Sequence, residues 1–166
     1  SDRVTERLVV PNGVMAAVQA RMANEVACSV TPWDFTKAKG ERALFPTVDI
    51  DDQPTTEAGD EIPAAVERIK ATIVHLHERL LGEKLAPTDP EVARTYGLFL
   101  EVITAGRKAV ADKSEVDWLR CNAKKDPTTG TDLPEAQRIE RDPHYVVRAW
   151  MAVVTYLLSD YRFLYE

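Results

Sequence analysis

The sequence has 166 residues, of which 45% are apolar and 29% charged, and its formal net charge is −6. This composition is typical of a folded domain and argues against wholesale disorder. An acidic chain without a cluster of Lys and Arg is poorly suited to nucleic acid, whose sequence-independent binding depends on neutralising phosphates. The apolar run from Trp150 to Leu158 is far too short to span a membrane. We therefore predict one domain, residues 1–166, with no nucleic-acid partner and no membrane span.

The first helix is predicted over residues 13–30, because apolar residues recur there at helical spacing. This stripe consists of Met15, Val18, Met22 and Val26. The helix should end at Thr31-Pro32, since the residue before a proline disfavours helical angles. Cys28 lies off the stripe. A cysteine in that position fits either a disulfide or a small side chain packed under a loop.

A long irregular segment follows over residues 31–61, and apolar side chains should anchor it to the domain. The anchors are Trp33, Phe35, Leu44, Phe45 and Pro46. Its acidic part, residues 46–61, resembles a calcium-binding loop because Asp49, Asp51 and Gln53 alternate. Pro54 stands where an EF-hand needs glycine, however, and the closing glutamate is missing. We therefore predict a solvated acidic loop and keep Asp49 and Asp51 only as candidate metal ligands.

Two further helices are predicted over residues 62–82 and 90–111. The first has a narrow apolar seam, typical of helical bundles, formed by Ile62, Val66, Ile69, Ile73, Leu76 and Leu80. Gly82 is its expected C-terminal cap. The second begins at Asp89-Pro90-Glu91, where Asp89 is the expected N-terminal cap and is followed by a proline and an acidic residue in the first turn. Its expected buried face consists of Val92, Tyr96, Phe99, Ile103 and Val110.

A short helix over residues 114–122 and a long aromatic helix over residues 143–165 complete the prediction. Ser114 and Asp117 resemble a capping box, and Asp142-Pro143 opens the last helix. The main face of that helix consists of Val147, Trp150, Val154, Leu157, Tyr161 and Leu164 or Tyr165. We find no convincing strand pattern. The predicted fold is all-α, an irregular four- to five-helix bundle with a long loop after the first helix.

The candidates for a metal or cofactor site are His75, His77 and Glu78. Residues two apart on a helix point about 200° away from each other, so the two histidines do not converge. His75 and Glu78 can meet across one turn, but two ligands do not complete a site. We predict a half-buried, hydrogen-bonded His77, a solvent-facing His75, and no metal or cofactor. The alternative is a haem or apolar ligand beside the aromatic helix, with His77 as axial ligand.

The two cysteines, Cys28 and Cys121, are too far apart for a zinc or redox motif. They are either free thiols of a cytoplasmic protein or one disulfide of an exported protein. The disulfide would close a loop of roughly 94 residues and stabilise the fold by about 4–5 kcal/mol in the chain-entropy model.

Two stretches resemble a known group of proteins. They are IVHLHERLLGEKLAPTDPEVARTYGLFLEV (73–102) and RAWMAVVTYLLSDYRFLYE (148–166). They resemble helical segments of large exported proteins of unknown function from planctomycetes and myxobacteria, which are often linked to cytochrome c-like modules. This resemblance implies an extracytoplasmic helical module in which Cys28 and Cys121 are able to pair. It carries over no functional residue, and the Cys-x-x-Cys-His motif for haem attachment is absent from the sequence.

No catalytic motif stands out elsewhere in the sequence. We therefore predict a non-catalytic structural or interaction domain, extracytoplasmic (periplasmic or secreted), with a protein as its partner. A helical bundle that binds a small ligand or cofactor is the second hypothesis, and an enzyme is the third. A cytoplasmic location is the alternative if the two cysteines are free thiols.

Overall fold

The computed structural model describes residues 12–159. This part of the chain forms four α-helices, which are α1 (Asn12–Phe35), α2 (Pro63–Leu81), α3 (Pro90–Ala111) and α4 (Val146–Leu158). Two short strands, β1 (Trp118–Ala123) and β2 (Ile139–Arg141), pair antiparallel as a hairpin. None of the described helices is long and apolar enough to cross a membrane. The fold is mostly helical, as predicted, but it contains a small sheet that we did not predict.

Trp150 of α4 lies at the centre of the fold. Its ring is fully buried, with centroid distances of 4.5 Å to Phe99 of α3 and 5.4 Å to Phe45 of the loop after α1. Phe45 in turn stacks on Phe35, the last residue of α1, at 4.5 Å. In addition, α4 contacts α2. One face of the aromatic helix is therefore buried in the core, while its other face, with Met151, Thr155 and Tyr156, lines an open groove of about 610 Å³.

Helix α1 is longer than predicted, because it continues through Pro32 to Phe35. A proline inside a helix removes one hydrogen bond, and tertiary contacts outweigh that loss here. The buried carboxylate of Asp34 accepts hydrogen bonds from the backbone N–H groups of residues 43–45, at 2.9–3.0 Å. These bonds fold the next segment back onto the end of α1. The expected anchoring of this segment is confirmed, but the helix end at Thr31-Pro32 is wrong.

The buried face of α1 is not the predicted apolar stripe. Ala23 and Ala27 are buried, whereas Met22 is 57% exposed and Val26 is 44% exposed. The contact between α1 and α4 is the most extensive between any two elements of the described fold. Periodicity did not identify this face because the alanines lie directly beside the larger apolar residues.

Helices α2 and α3 match the predicted helices to within one residue at each end. The predicted seam of α2 is buried at Val66, Ile69, Ile73 and Leu76. Gly82 ends α2 in the left-handed conformation, with φ of 69°, and the carboxylate of Asp89 accepts a hydrogen bond from the N–H of Glu91 at 2.8 Å. Both predicted caps are confirmed.

The short helix predicted over residues 114–122 is wrong, since residues 118–123 form a strand. Leu119 and Ala123 are buried while Arg120 is exposed, which is the alternation of a half-buried strand. The pattern covers only six residues, and its partner β2 has three and follows a long loop. A strand pattern this short cannot be distinguished from that of a short helix unless the partner strand is known.

Two arginines hold the acidic loop over residues 46–61. Asp52 is buried and paired with Arg68 of α2 at 2.7 Å. Burial alone would raise the pKa of Asp52, but the hydrogen bonds to Arg68 and to the backbone bring it below its ordinary value. Arg107 of α3 donates to the carbonyl of Thr55 at 2.7 Å. The expectation of a wholly solvated loop is therefore wrong, because its inner side packs on the helices.

Helix α4 begins at Val146, three residues later than predicted. Asp142 is nevertheless a cap, because its carboxylate accepts hydrogen bonds from the backbone N–H groups of Val147 and Arg148 at 3.0 Å. The predicted continuation over residues 160–165, with Tyr161, Leu164 and Tyr165, lies outside the described residues.

Gly106 of α3 leaves room for the ring of Tyr145. A Cβ atom at position 106 would lie 2.1 Å from carbon atoms of that ring. Tyr145 itself has a left-handed backbone, with φ of 63°, and Arg148 lies over its ring at 4.1 Å. Gly97 of the same helix has no such neighbour within 4 Å. Packing therefore requires a glycine at position 106 but not at position 97.

We expect Gly106→Ala and Gly97→Ala to change stability in opposite directions. The first forces Tyr145 to move and should lower the free energy of unfolding by about 1–3 kcal/mol, as overpacking does. The second restricts the unfolded chain and should raise that free energy by about 0.5–1 kcal/mol. Denaturant unfolding of the two variants measures both effects. A stabilising Gly106→Ala would contradict the packing described.

Candidate functional site

An open groove of about 800 Å³ lies between the last turns of α1 and the hairpin. We call it the Trp33 groove. One wall comes from α1 and includes Val30 and Trp33. The other wall comes from the end of β1 and the hairpin loop, and it includes Ala123, Lys124, Lys125 and Arg138. Small apolar and aromatic surfaces thus lie beside three cationic side chains.

A disulfide between Cys28 and Cys121 fixes the two walls of the Trp33 groove relative to each other. The Cα atoms of the two cysteines are 5.1 Å apart. The next residue on each side, Ser29 in α1 and Asn122 in β1, lines the groove. Of the two states left open by the sequence, the structure contains the disulfide. It clamps the helix onto the strand directly beside the groove.

Internal hydrogen bonds give the hairpin loop a defined path. Lys125 and Asp132 pair as an antiparallel bridge. The carboxylate of Asp126 accepts a hydrogen bond from the N–H of Thr128 at 2.7 Å, and its hydrogen bonds to Thr128 lower the pKa of Asp126 below its ordinary value. The side chain of Arg138 donates to a loop carbonyl at 3.0 Å. These contacts position the cationic wall of the groove.

The charge of the Trp33 groove is opposite to that of the chain. Its lining has three cations, Lys124, Lys125 and Arg138, and one carboxylate, Asp132, whereas the whole chain carries −6. Within residues 12–159, none of the three cations forms a salt bridge. Their charges are therefore not neutralised by an ion pair in this part of the chain.

The indole of Trp33 is half-buried and provides the flat surface of the groove. The ammonium group of Lys37 lies 5.4 Å from the centroid of its ring, which is within cation–π range. Trp33 was expected only to anchor a loop to the domain. In the structure it is also a groove wall, where an apolar or aromatic group can pack against it.

The structure does not bring His75, His77 and Glu78 together as a metal site. His77 is fully buried, and its Nε2 atom lies 2.8 Å from Thr95 Oγ1 while its Nδ1 atom lies 3.1 Å from Glu83 Oε1. Both ring nitrogens are therefore engaged, since the contact with Thr95 joins α2 to α3 and the contact with Glu83 joins α2 to the loop that follows it. An axial ligand at this position would have to break one of them. The expectation that His77 is only half-buried is wrong.

His75 is partly exposed, and its Nε2 atom lies 2.7 Å from the carbonyl oxygen of Ala43. Glu78 is exposed. Asp49 pairs with Lys39, and Asp51 is exposed. In the described part of the chain, no three His, Cys, Asp or Glu side chains are grouped so that they could hold a metal ion.

Sequence reasoning missed the Trp33 groove because its walls are distant in the chain. Lys124 and Lys125 fall between the helices predicted over residues 114–122 and 143–165, where we predicted no element. One available signal was their position just after Cys121, since a disulfide to Cys28 brings them next to the end of the first helix. That signal could be used only once the disulfide was known.

Comparisons with protein-family models, with curated proteins and with solved structures find no match for this chain.

We expect the disulfide to dominate the stability of the walls of the Trp33 groove. Replacing both Cys28 and Cys121 with Ala should lower the free energy of unfolding by about 4–5 kcal/mol in the chain-entropy model, because the bridge joins residues 93 apart. Denaturant unfolding with and without dithiothreitol measures this. Reductant should destabilise the natural protein and leave the double variant unchanged. Two reactive thiols in protein isolated without reductant would contradict the disulfide.

Proposed function

We propose that this chain is a non-catalytic, extracytoplasmic domain that binds a protein partner through the Trp33 groove. The observation that carries the proposal is a set of three cations, Lys124, Lys125 and Arg138, that form no salt bridge within residues 12–159 and surround a half-buried Trp33 in an acidic chain. Surface cations are usually solvated, but here they share one groove with apolar surface. That combination suits binding rather than solubility alone.

The chemistry of the groove favours an acidic polypeptide segment that also carries an apolar or aromatic side chain. Carboxylates of such a segment would approach Lys124, Lys125 and Arg138, while its apolar group would pack on Trp33 and Val30. Charge complementarity of this kind raises the association rate and rejects basic partners. A nucleic acid fits less well, because the remainder of this chain is acidic and would repel its phosphates.

The disulfide and the resemblance to exported proteins both support an extracytoplasmic location. Disulfides persist in oxidising compartments and are rare in the cytosol, where thiols are kept reduced. The Cys28–Cys121 bridge stands directly beside the groove, so reduction would release one wall of the binding site. A domain that binds through this groove is therefore suited to an oxidising environment.

The composition of the groove supports binding rather than catalysis. Over residues 12–159 its lining contains no histidine and a single carboxylate, Asp132. General acid–base or nucleophilic catalysis needs a base within hydrogen-bond reach of a second reactive group. The side chains of this groove are instead suited to holding an anionic, partly apolar group in place.

A small anionic ligand is the second candidate for the groove, and the volume of the groove favours this candidate. Sites for small molecules typically occupy about 300–1,000 Å³, and the Trp33 groove has about 800 Å³. An aromatic carboxylate would use the same Trp33 and the same cations. The two candidates differ in length, since a peptide would extend beyond the groove whereas a small ligand would not.

Binding of designed peptides tests the proposal. We expect twelve-residue peptides that contain Glu, Asp and one Tyr to bind, and the same peptides with Gln and Asn to bind at least about tenfold more weakly. Lys124→Glu combined with Lys125→Glu should weaken binding by a similar factor. Calorimetric titration gives both affinities, and titration with phenylacetate in parallel tests the small ligand.

The matched control is Lys84→Glu combined with Lys108→Glu. Both lysines are exposed and lie outside the groove lining, and this double variant changes the net charge by the same amount. It should bind the acidic peptide nearly as well as the natural protein. Equal losses in the two double variants, or no binding of any acidic peptide, would refute the proposed function.

A further inference from the structure

Trp118, the first residue of β1, is a tryptophan at the surface of the domain. It is 56% exposed, because the positions of β1 that face the core are occupied by Leu119 and Ala123. Exposure of so large an apolar ring to water is unfavourable, and tryptophan is among the residues most enriched at the centres of protein interfaces. Trp118 is therefore a candidate contact for a partner.

An open groove of about 350 Å³ lies beside Trp118. We call it the Trp118 groove. Arg141 of β2 lies directly opposite Trp118 in the hairpin, and residues opposite each other in an antiparallel pair project from the same face of the sheet. Like the Trp33 groove, the Trp118 groove therefore combines one tryptophan with cationic side chains. Its lining consists of Trp118, Leu119, Asn122, Lys124, Glu140 and Arg141.

The Trp118 groove adjoins the Trp33 groove, because Asn122 and Lys124 line both. Each tryptophan lines only one groove, so Trp33 and Trp118 lie on different sides of these shared residues. The amide group of Asn122 donates a hydrogen bond to the carbonyl oxygen of Leu119 at 3.2 Å, which holds the Asn122 side chain against β1. The two grooves thus form one surface with an exposed lysine, Lys124, at its middle.

We propose that the acidic segment bound in the Trp33 groove continues over Lys124 into the Trp118 groove and packs a second aromatic side chain on Trp118. This inference rests on the proposed function and adds a pattern to the partner, namely two aromatic residues with acidic residues between them. The shared lining favours this occupant, because a segment that leaves the Trp33 groove past Lys124 and Asn122 meets Trp118 next. A second aromatic contact also increases affinity, since both are made by one chain.

The charges of the Trp118 groove favour an uncharged aromatic group beside Trp118. Arg141 is already paired with Asp117 at 3.1 Å, and the lining includes one carboxylate, Glu140. Lys124, by contrast, forms no salt bridge within residues 12–159. A carboxylate of the partner is therefore attracted to Lys124 and repelled by Glu140. We expect acidic residues of the partner at the middle of the surface and the second aromatic residue at its Trp118 end.

The distance along β1 determines how far apart the two aromatic residues of the partner must be. Lys124 lies six residues after Trp118, which corresponds to about 20 Å of extended chain at roughly 3.3 Å per residue. An extended partner segment needs about the same number of residues to pass from Lys124 to Trp118. Two aromatic residues about six residues apart can therefore contact both tryptophans, whereas two adjacent aromatic residues cannot.

Nuclear magnetic resonance of the indole N–H groups tests this arrangement, because each of the three tryptophans gives one signal. We compare acidic twelve-residue peptides that contain a single Tyr, two Tyr about six residues apart, or the same two Tyr placed next to each other. All three should shift the signal of Trp33, but only the spaced peptide should shift that of Trp118. The signal of Trp150, which is fully buried, should not move. Trp33→Phe and Trp118→Phe assign the signals.

Calorimetric titration measures how much Trp118 contributes to affinity. The spaced peptide should bind the natural protein at least about tenfold more tightly than its isomer with adjacent Tyr. Trp118→Ala should remove this difference without weakening the binding of the single-Tyr peptide. Met22→Ala is the matched control, because Met22 is 57% exposed and lies outside both groove linings. This control variant should keep the tenfold difference.

The outcomes separate this inference from the proposed function. If the spaced peptide shifts the signal of Trp33 but not that of Trp118, the extension into the Trp118 groove is wrong and the proposed function stands. Equal shifts of Trp118 with the spaced peptide and its isomer would overturn the two-aromatic pattern in the same way. If no acidic peptide shifts the signal of Trp33, the proposed function is wrong and this inference is overturned with it.

Discussion

Burial of Trp150 connects more parts of this fold than any other contact described above. Its ring packs against Phe99 of α3 and Phe45 of the loop after α1, and Phe45 stacks on Phe35 at the end of α1. The indole N–H has no hydrogen-bond partner among the described residues, so apolar and aromatic packing must outweigh that cost. Three segments distant in sequence are therefore held around one side chain.

The position of the candidate site follows from this arrangement. Because Phe35 and Phe45 hold the end of α1 against the core, Trp33, two residues before Phe35, is fixed at the surface beside the hairpin. The Cys28–Cys121 bridge then attaches β1 to the same part of the helix. Lys124 and Lys125 follow β1 and complete the groove. The proposed binding site is thus a consequence of how the core and the disulfide position two surface segments.

Sequence patterns predicted a helix best where its capping residues and the spacing of its apolar residues indicate the same bounds. Gly82 marks the end of α2 and Asp89-Pro90 the start of α3, and the apolar residues of both helices recur at clear helical spacing. The bounds of both helices were therefore predicted to within one residue. The face of α1 was wrong because buried alanines carry little hydrophobic signal next to Met22 and Val26. The strand at residues 118–123 depends on a partner more than fifteen residues away, and the Trp33 groove depends on tertiary contacts. The local sequence pattern does not show which residues far apart in the chain come into contact.

The central claim is that the aromatic helix is the core of the domain, and the unfolding free energy of Trp150→Ala tests it most directly. We expect a loss of about 3–5 kcal/mol, because the ring is fully buried. Trp118→Ala is the matched control, since Trp118 is 56% exposed, and it should change stability by only about 0.5 kcal/mol. A loss below about 1 kcal/mol for Trp150→Ala would contradict the account, because a fully buried core ring cannot be removed at so small a cost.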